Sequence, residues 1–250
     1  MSRREPVARP AFEDAWRRRF EEFATLRDDD AGVAGWSTMG LETRLRAFQR
    51  AWPGAEVGSL WLDAGCGAGT YTRYLATQGL RVVGVDYSPV TASKAKARDT
   101  EHCMWGVADV TRLPLRSGSF DGVICFGVSQ ALSKSDSAIR ELATQLRPGG
   151  QVWIDALNAY CVANIWTRLS RRLRGKPRHL RYERPGRMRR LMEAEGLLEL
   201  RIHWIPIMPA RLKVLQPFVE GALFSALLRH VPGLGALFSH SYMLTGKKPL

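Results

Sequence analysis

The stretch that decides the fold reads Ser59-Leu60-Trp61-Leu62-Asp63-Ala64-Gly65-Cys66-Gly67-Ala68-Gly69-Thr70. It begins as a short apolar run, which is typical of a buried strand, and then breaks into alternating glycines. A helical pattern follows from residue 70 to residue 78. A strand, a glycine-rich turn and a helix in this order build a ligand site at the carboxyl edge of an open α/β sheet. Glycines let the backbone approach a ligand closely, and the start of the helix offers unpaired N–H groups.

Three interpretations of this turn are open, and the neighbouring residues weigh them. A dinucleotide site of the G-x-G-x-x-G type needs glycine or alanine at position 70, where the chain has Thr70. Asp63, ahead of the first glycine, would repel a diphosphate but would attract a cationic ligand that carries an amino-acid tail. A turn without a ligand is disfavoured, because glycine costs stability where no conformation or close approach requires it. The pattern therefore favours the cationic ligand.

These motifs resemble those of the class I S-adenosylmethionine-dependent methyltransferases, in particular the small-molecule branch typified by ubiquinone and menaquinone methylation. The resemblance covers roughly residues 57–156 and the last strand. It implies an α/β, Rossmann-like fold with a seven-stranded, mostly parallel sheet, helices on both faces, a helical N-terminal lid and C-terminal insertions. The implied strand order is 3-2-1-4-5-7-6. It also implies that S-adenosylmethionine binds across the carboxyl ends of strands one to four and that its methyl group passes to an oxygen, nitrogen or carbon of the acceptor.

Three acids follow successive predicted strands, and the resemblance assigns each to a part of the cofactor. Asp63 is expected to order the amino-acid end, and Asp86, at the end of the second strand, to accept both ribose hydroxyls. Asp109 is expected to accept from the adenine amino group. The alternative for Asp86 is that it only caps the helix that begins at Ser88-Pro89. The predicted cofactor-binding residues are Asp63, Gly65, Cys66, Gly67, Gly69, Asp86, Tyr87, Asp109, Val110 and Phe126.

The segment after the fourth strand, Phe126-Gly127-Val128-Ser129-Gln130, is informative for the motifs that it lacks. It is not Asn/Asp-Pro-Pro-aromatic, which enzymes that methylate amino nitrogens of nucleobases and glutamine use. It is not Pro-Cys, which C5 methylation of cytosine in RNA needs. Ala131 stands where similar enzymes often have a histidine, two residues before the turn Ser133-Lys134-Ser135. A reaction that depends on that histidine is therefore not predicted.

The acceptor side of the predicted sheet offers two candidate catalytic residues, His240 and Tyr160. The last strand runs antiparallel in the resembling family, so its beginning, at His240, lies at the active edge. Tyr160 follows the carboxyl end of the fifth strand. His203, in mid-strand, and His102, before the third strand, are less well placed. The alternative is a purely structural His240, since an acidic acceptor needs no general base.

The sequence divides into four segments. Residues 1–54 form a predicted N-terminal helical lid, and residues 55–157 form the S-adenosylmethionine-binding core. Residues 158–238 hold a substrate-covering insertion, a helix, the sixth strand and apolar helices, and residues 239–250 return as the last strand of the core.

The predicted lid contains an amphipathic helix over residues 11–26. An aromatic stripe at helical spacing favours a core face over a cofactor contact. Its members are Phe12, Trp16, Phe20 and Phe23. Asp28-Asp29-Asp30, Gly32 and Gly35 indicate a loop after this helix. Trp36 and Met39 are candidates to close over the ligand, with plain packing as the alternative.

Positive charge is concentrated in one stretch of the chain, whose formal net charge is +13. Residues 168–190 hold eleven Lys or Arg residues against one acid, Glu183. This charge suggests an anionic partner, and a solvated face or an arginine-rich composition is the alternative. Tyr182 is the one aromatic residue in the stretch. A single aromatic side chain argues against binding of single-stranded nucleic acid by base stacking, but arginine contacts to phosphate stay open.

The remaining expectations concern compartment and partners. The four cysteines show neither paired nor metal-ligand spacing, so reduced thiols and no metal are predicted. The run Met1-Ser2-Arg3-Arg4-Glu5-Pro6 lacks the apolar core of a secretory signal, and a cytoplasmic protein is expected. Residues 218–238 are apolar but contain Glu220, Arg229 and Pro232, which argues against a membrane span and leaves a peripheral membrane contact open.

The predicted acceptor is a small-molecule or lipid-like substrate, anionic and amphiphilic if the basic stretch and the apolar residues 218–238 act together. An RNA methyltransferase and a non-catalytic binding protein on the same fold are the alternatives. The acids Asp63, Asp86 and Asp109 argue against the second alternative. The oligomeric state is left open by the sequence.

Overall fold

The computed structural model describes residues 10–176, 180–231 and 233–250. Three features used above lie outside these residues: the run Met1-Ser2-Arg3-Arg4-Glu5-Pro6, Arg178 and Pro232. None of the helices among the described residues combines the length and the apolar character that crossing a membrane requires.

A single sheet organises the described chain, and its seven strands follow the order β3-β2-β1-β4-β5-β7-β6. All neighbours are parallel except β7, which runs antiparallel to both β5 and β6. The fold and the strand order predicted from the sequence are therefore confirmed. The strands are β1 Leu60–Ala64, β2 Arg81–Asp86, β3 Met104–Val107, β4 Phe120–Cys125, β5 Leu146–Leu157, β6 Leu198–Ile205 and β7 Ser241–Lys247.

Helices cover both faces of the sheet and its carboxyl edge. The helix after β2 starts as predicted, with the Ser88 hydroxyl accepting from the Thr91 N–H at 3.3 Å and Pro89 in its first turn. The helices are α1 Ala11–Leu26, α2 Asp30–Val33, α3 Thr38–Ala51, α4 Thr70–Thr77, α5 Pro89–Ala97, α6 Asp136–Gln145, α7 Val162–Leu173, α8 Pro185–Ala194, α9 Gln216–Glu220, α10 Ala222–His230 and α11 Leu234–Phe238. Short 3₁₀ turns occupy Ser129–Ala131 and Ala210–Leu215.

Two local expectations were wrong. The segment that starts at Asp30 is the short helix α2 rather than a loop, because the Asp29 carboxylate accepts from the Gly32 N–H at 2.8 Å and caps it. The sequence pattern predicts a turn at Arg147-Pro148-Gly149-Gly150 and a fifth strand that begins at Gln151, but the strand begins at Leu146. Leu146 pairs with Phe120 before a bulge lets Gln151 pair with Gly122, so the Pro-Gly-Gly turn lies inside the strand.

The core has two apolar layers, one on each side of the sheet, because successive strand residues point to opposite faces. On β1, Leu62 belongs to the layer under α6 and α8, and Trp61 to the layer under α3 and α4. A Cβ at Gly122 would lie 2.3 Å from the Trp61 ring, so glycine on β4 makes room for the indole. The strand β6, in the segment 158–238, belongs to this same sheet. The four-segment division itself stays a prediction.

Candidate functional site

A cleft opens between the carboxyl ends of β1 to β4 and the helices α1 to α3. Its floor is the glycine turn between β1 and α4. Gly65 has φ 82°, and a Cβ there would lie 2.2 Å from a Val128 methyl carbon. Gly69 has φ 84°, and a Cβ there would lie 2.6 Å from the Trp105 ring. Side chains at these positions would be strained and would collide, so the turn requires glycine to keep the floor open.

Asp63 lies beneath this floor and does not line the cleft. It is 1% exposed, and the Thr72 hydroxyl donates to its carboxylate at 2.6 Å. Burial raises the pKa of Asp63 to about 7, the Thr72 hydrogen bond opposes the rise, and the nearby charge of Asp86 adds to it. A cation on the other side of the turn would stabilise the charged carboxylate.

Asp86 ends β2 and faces the cleft. One carboxylate oxygen accepts from the Gly67 N–H at 3.1 Å, and the other from the Ser88 N–H at 2.9 Å. Burial raises the pKa of Asp86 to about 6, and these backbone donors oppose the rise. The helix cap itself is Ser88, so Asp86 orders the turn and presents its remaining lone pairs to the cleft.

The other predicted cofactor residues divide between the cleft and the layer beneath it. Asp109 lines the cleft and accepts from the backbone and the hydroxyl of Thr111, at 2.9 and 2.7 Å. The Tyr87 hydroxyl donates to the Arg17 carbonyl at 3.2 Å. Gly69 lies below the surface with Asp63. Those that line the cleft are Gly65, Cys66, Gly67, Asp86, Tyr87, Asp109, Val110 and Phe126.

Neither predicted catalytic residue is among the residues that line the cleft. His240 is half-buried, and burial, followed by the charge of Arg44, lowers its pKa to about 4. Tyr160 is 45% exposed and lines a separate groove beside α7. A catalytic role for either residue stays a prediction that no contact with the cleft supports.

The lid contributes more to the cleft than the sequence indicated. Trp16 and Phe20, read above as a core stripe, both line it, and Trp36 does so from the loop before α3. Helix α1 is held against both walls. The Glu13 carboxylate accepts from the Ser133 N–H at 2.7 Å on one side, and Phe20 contacts the Tyr87 ring, with centroids 6.3 Å apart, on the other. Met39 is not among the residues that line the cleft.

Asp30 connects the lid to the glycine turn, a role that the sequence did not reveal. Its carboxylate accepts from the Thr70 hydroxyl at 2.6 Å and forms ion pairs with Arg73, at 2.5 Å, and Arg98, at 3.1 Å. These partners are forty or more positions away in the chain. The feature of the sequence that could have indicated this role is the acidic run Asp28-Asp29-Asp30 in an otherwise basic protein.

A buried ion pair holds Trp36 in place at the other end of the cleft. The Arg44 Nε lies 3.4 Å from the Asp155 carboxylate, and the guanidinium carbon lies 4.2 Å from the centroid of the Trp36 ring. Asp155 also accepts from the Gly127 N–H at 2.6 Å. A Cβ at Gly127 would lie 2.5 Å from the indole. Trp36 is therefore a fixed aromatic wall between lid and sheet.

The cleft thus has two chemically distinct ends. Carboxylates and glycine backbone lie over β1 to β3, with the contact between Phe20 and Tyr87 beside them, and the end next to β4 is aromatic, with Tyr71 and Phe126 at a centroid distance of 4.7 Å. Cys66 is buried between Asp63 and Asp86, and burial raises the pKa of its thiol well above the ordinary value. Among the described residues, no group of three or more His, Cys, Asp or Glu side chains could hold a metal ion.

Comparison with known proteins finds methyltransferases that are similar to part of this chain. Residues 62–154 match a family model described as "Methyltransferase domain". A ubiquinone biosynthesis O-methyltransferase of Chromobacterium violaceum is 28% identical over 150 residues, 54% of this chain and 63% of the relative. A malonyl-[acyl-carrier protein] O-methyltransferase of Serratia marcescens is 33% identical over 118 residues, 46% of this chain and 44% of the relative. The chain spans about half the length of the curated relatives that it matches.

Solved structures share the fold over nearly the whole chain. Phosphoethanolamine N-methyltransferase 2 of Haemonchus contortus, in complex with S-adenosyl-L-methionine, aligns with a TM-score of 0.62 and 18% identity, over 98% of this chain and 62% of that one. Magnesium protoporphyrin IX methyltransferase of Synechocystis, with bound SAH, aligns with a TM-score of 0.58 and 16% identity, over 95% of each chain. At these identities, the likeness concerns the fold.

Proposed function

We propose that this protein, whose residues 62–154 match the methyltransferase-domain family model, transfers a methyl group from S-adenosylmethionine to a small-molecule or lipid-like acceptor. The observation that carries the proposal is the meeting of Asp86, Asp109 and the glycine turn in one cleft under an aromatic lid. The methyltransferase names of the relatives and of the structural neighbours support it.

The residues of the cleft fit the proposed cofactor. Each oxygen of Asp86 accepts one backbone N–H and keeps a lone pair, which matches two vicinal ribose hydroxyls. The elevated pKa of Asp86 indicates that its present donors do not fully offset burial, so two further donors would stabilise the carboxylate. Asp109 and the Val110 backbone would hold the adenine. The turn at Gly65, with Asp63 beneath it, would hold the amino-acid end.

When bound, S-adenosylmethionine supplies a methyl group on a positively charged sulfur. The contribution of the protein is to orient the acceptor and to exclude water, and the aromatic end of the cleft serves both purposes. A general base would add a factor of roughly 10²–10⁴. His240 is outside the cleft lining, so positioning by Trp36, Tyr71 and Phe126 is the main source of acceleration in this proposal.

The acceptor in this proposal carries apolar groups around the nucleophilic atom that reacts. The residues beyond the carboxylate end are aromatic or aliphatic, and Glu13 and Arg17 at the lid are the charged ones nearby. Two of the relatives are named ubiquinone biosynthesis O-methyltransferase and malonyl-[acyl-carrier protein] O-methyltransferase, and these names are compatible with an O-methylated acceptor.

The proposal is tested by tracing labelled methyl groups. Purified protein is incubated with methyl-labelled S-adenosylmethionine and the separated lipid, small-molecule and RNA fractions of a cell extract. Label should enter the lipid or small-molecule fraction, and Asp86→Ala should lower the incorporation by about fivefold or more at a cofactor concentration near the wild-type Kd. Label in the RNA fraction would mean that the protein is an RNA methyltransferase. Absence of label from every fraction would favour a non-catalytic binding protein.

A peripheral membrane contact belongs to the same proposal. The arginines of α7 and the exposed apolar residues Leu223 and Leu227 of α10 support it. A lipid-like acceptor would then reach the cleft from the membrane surface.

A further inference from the structure

A second cavity lies outside the cleft, in a groove beside α7. We call it the basic groove, and its cationic residues are Arg168, Arg171, Arg172, Lys176 and Arg184. Of the described residues that line it, none is acidic. A concave surface with one sign of charge concentrates counter-ions of the opposite sign.

The arginines of this part of the chain separate into two groups. Arg181 is 5% exposed and pairs with Glu183 at 3.0 Å, while Arg187 pairs with Asp136 at 2.9 Å. These two are part of the folded framework and do not belong to a docking surface. In the described part of the chain, Arg168 and Arg172 have no carboxylate within ion-pair distance. The groove therefore keeps charge that the protein does not neutralise.

The side of α7 next to the groove is apolar and exposed. Ile165 and Leu169 line the groove and are 45% and 47% exposed. An α-helix turns by about 100° per residue, so Val162, Trp166 and Leu173 continue the same stripe. These three are 55%, 69% and 79% exposed. Cations and an apolar strip therefore lie side by side on one helix.

We propose that the basic groove binds the phosphate headgroup of an anionic amphiphile, whose apolar chain lies along Ile165 and Leu169. Guanidinium groups match phosphate oxygens in pairs, and several of them around one cavity suit a dianion better than a single carboxylate. Tyr160 and Tyr182 at the groove add hydroxyl donors and apolar ring faces. This assigns Tyr160 to ligand binding in the groove. The site is independent of methyl transfer.

The groove is structurally connected to the cleft through Arg181. Its neighbours Leu180 and Tyr182 line the groove, and its guanidinium donates to the Ser129 carbonyl at 2.8 Å and to the Ser133 carbonyl at 3.1 Å. Residues 131 and 132, between these carbonyls, line the cleft. A headgroup in the groove would therefore be close to the wall of the acceptor site.

The test is calorimetry with three probes: dihexanoyl phosphatidic acid, dihexanoyl phosphatidylcholine and inorganic pyrophosphate. We expect phosphatidic acid to bind at least about tenfold more tightly than either of the others, because it alone combines net charge with a chain. The double variant Arg168→Gln/Arg172→Gln should lose about tenfold or more of this affinity. Leu169→Ser should weaken the binding of phosphatidic acid and leave the affinity for pyrophosphate unchanged.

The matched control is Arg81→Gln/Arg116→Gln, which removes the same charge from exposed positions away from the groove. The proposal would be overturned if this control lost as much affinity for phosphatidic acid as the groove variant, or if phosphatidylcholine bound as tightly as phosphatidic acid. It would also be overturned if a single-stranded RNA oligonucleotide, titrated as a fourth probe, bound more tightly than phosphatidic acid. S-adenosylmethionine affinity, measured in the same variants, reports on folding and should be unchanged. If the wild type binds phosphatidic acid but not S-adenosylmethionine, the proposed function fails and the groove assignment stands.

Discussion

At the scale of single residues, Asp86 has two roles, since it orders the turn and also faces the cleft. Asp86→Ala should weaken the binding of S-adenosylmethionine by roughly ten- to more than a hundredfold. This corresponds to a loss of about 1.5–3 kcal/mol of binding free energy, the contribution of charge-assisted hydrogen bonds. The bonds to Gly67 and Ser88 show that the alanine variant will also lower Tm. Asp86→Asn, which keeps one acceptor oxygen, separates the two effects.

Calorimetry and thermal melts of both variants check this, with the exposed Glu56→Ala as control. If Asp86→Asn loses stability but keeps full cofactor affinity, Asp86 serves the turn alone.

The pKa of Asp63 makes cofactor affinity depend on pH. In the ligand-free protein this pKa is about 7, and a bound ammonium group would favour the charged carboxylate. Binding then releases a proton below pH 7, so affinity should fall by up to about tenfold per pH unit as the pH drops from 7 towards 6. Below pH 6, Asp86, with its pKa of about 6, adds to the loss.

Titrations between pH 5.5 and 8 measure this dependence. Asp63→Asn should bind the cofactor more weakly, and its affinity should change by no more than about twofold between pH 7 and 6, the part that Asp86 contributes. A wild-type affinity that is constant over the whole range would contradict the assignment of Asp63 to the amino-acid end.

The positions of Asp86, Asp109 and the glycine turn at one edge of the sheet could be predicted, because each follows a strand or begins a turn that local pattern indicates. His240 and Tyr160 were chosen from topology alone. Topology brings a residue to an edge of the sheet but does not say where its side chain points. The lid residues Trp16 and Phe20 were recognised as a stripe, and only the docking of α1 shows that the stripe faces the cleft.

At the scale of elements, the lid depends on Asp30, which ties α2 to α4 and α5. Asp30→Asn should leave Arg73 and Arg98 without their carboxylate, so the lid should open more often. We expect amide exchange in residues 11–51 to accelerate by about tenfold, the effect of one charged hydrogen bond lost. Hydrogen exchange followed by mass spectrometry measures it.

The control is Asp28→Asn. Its side chain is 95% exposed and pairs with Lys94, and exposed pairs contribute little. Equal acceleration in both variants would mean that general charge, rather than the Asp30 contacts, holds the lid.

The order of strands and helices was predictable because hydrophobic periodicity and turn residues are local signals. The link made by Asp30 and the pair Arg44–Asp155 were not, since they join distant parts of the chain. The same limit explains α2, whose single-turn length gives no periodicity to detect.

At the scale of the whole molecule, the net charge of +13 is unevenly used. Part of it stabilises the fold, as Arg181 and Arg187 do, and part surrounds α7. The protein should therefore sediment with anionic liposomes and not with neutral ones, and binding should fall as salt rises, because surface charges are screened. Arg172→Glu/Arg174→Glu should reduce the bound fraction well below that of Arg81→Glu/Arg116→Glu. If the bound fraction does not depend on lipid charge, the arginines of α7 do not bind the membrane and form only a solvent-exposed surface.

The central claim, that the glycine turn with Asp63 beneath it selects a cationic nucleoside over a dinucleotide, is tested most directly by one calorimetric comparison. Purified protein is titrated with S-adenosylmethionine, with its demethylated product and with NAD under the same conditions. The account predicts micromolar binding of the first two and much weaker binding of NAD, whose diphosphate would meet the carboxylates at the turn. Tight binding of NAD, with none of S-adenosylmethionine, would contradict it.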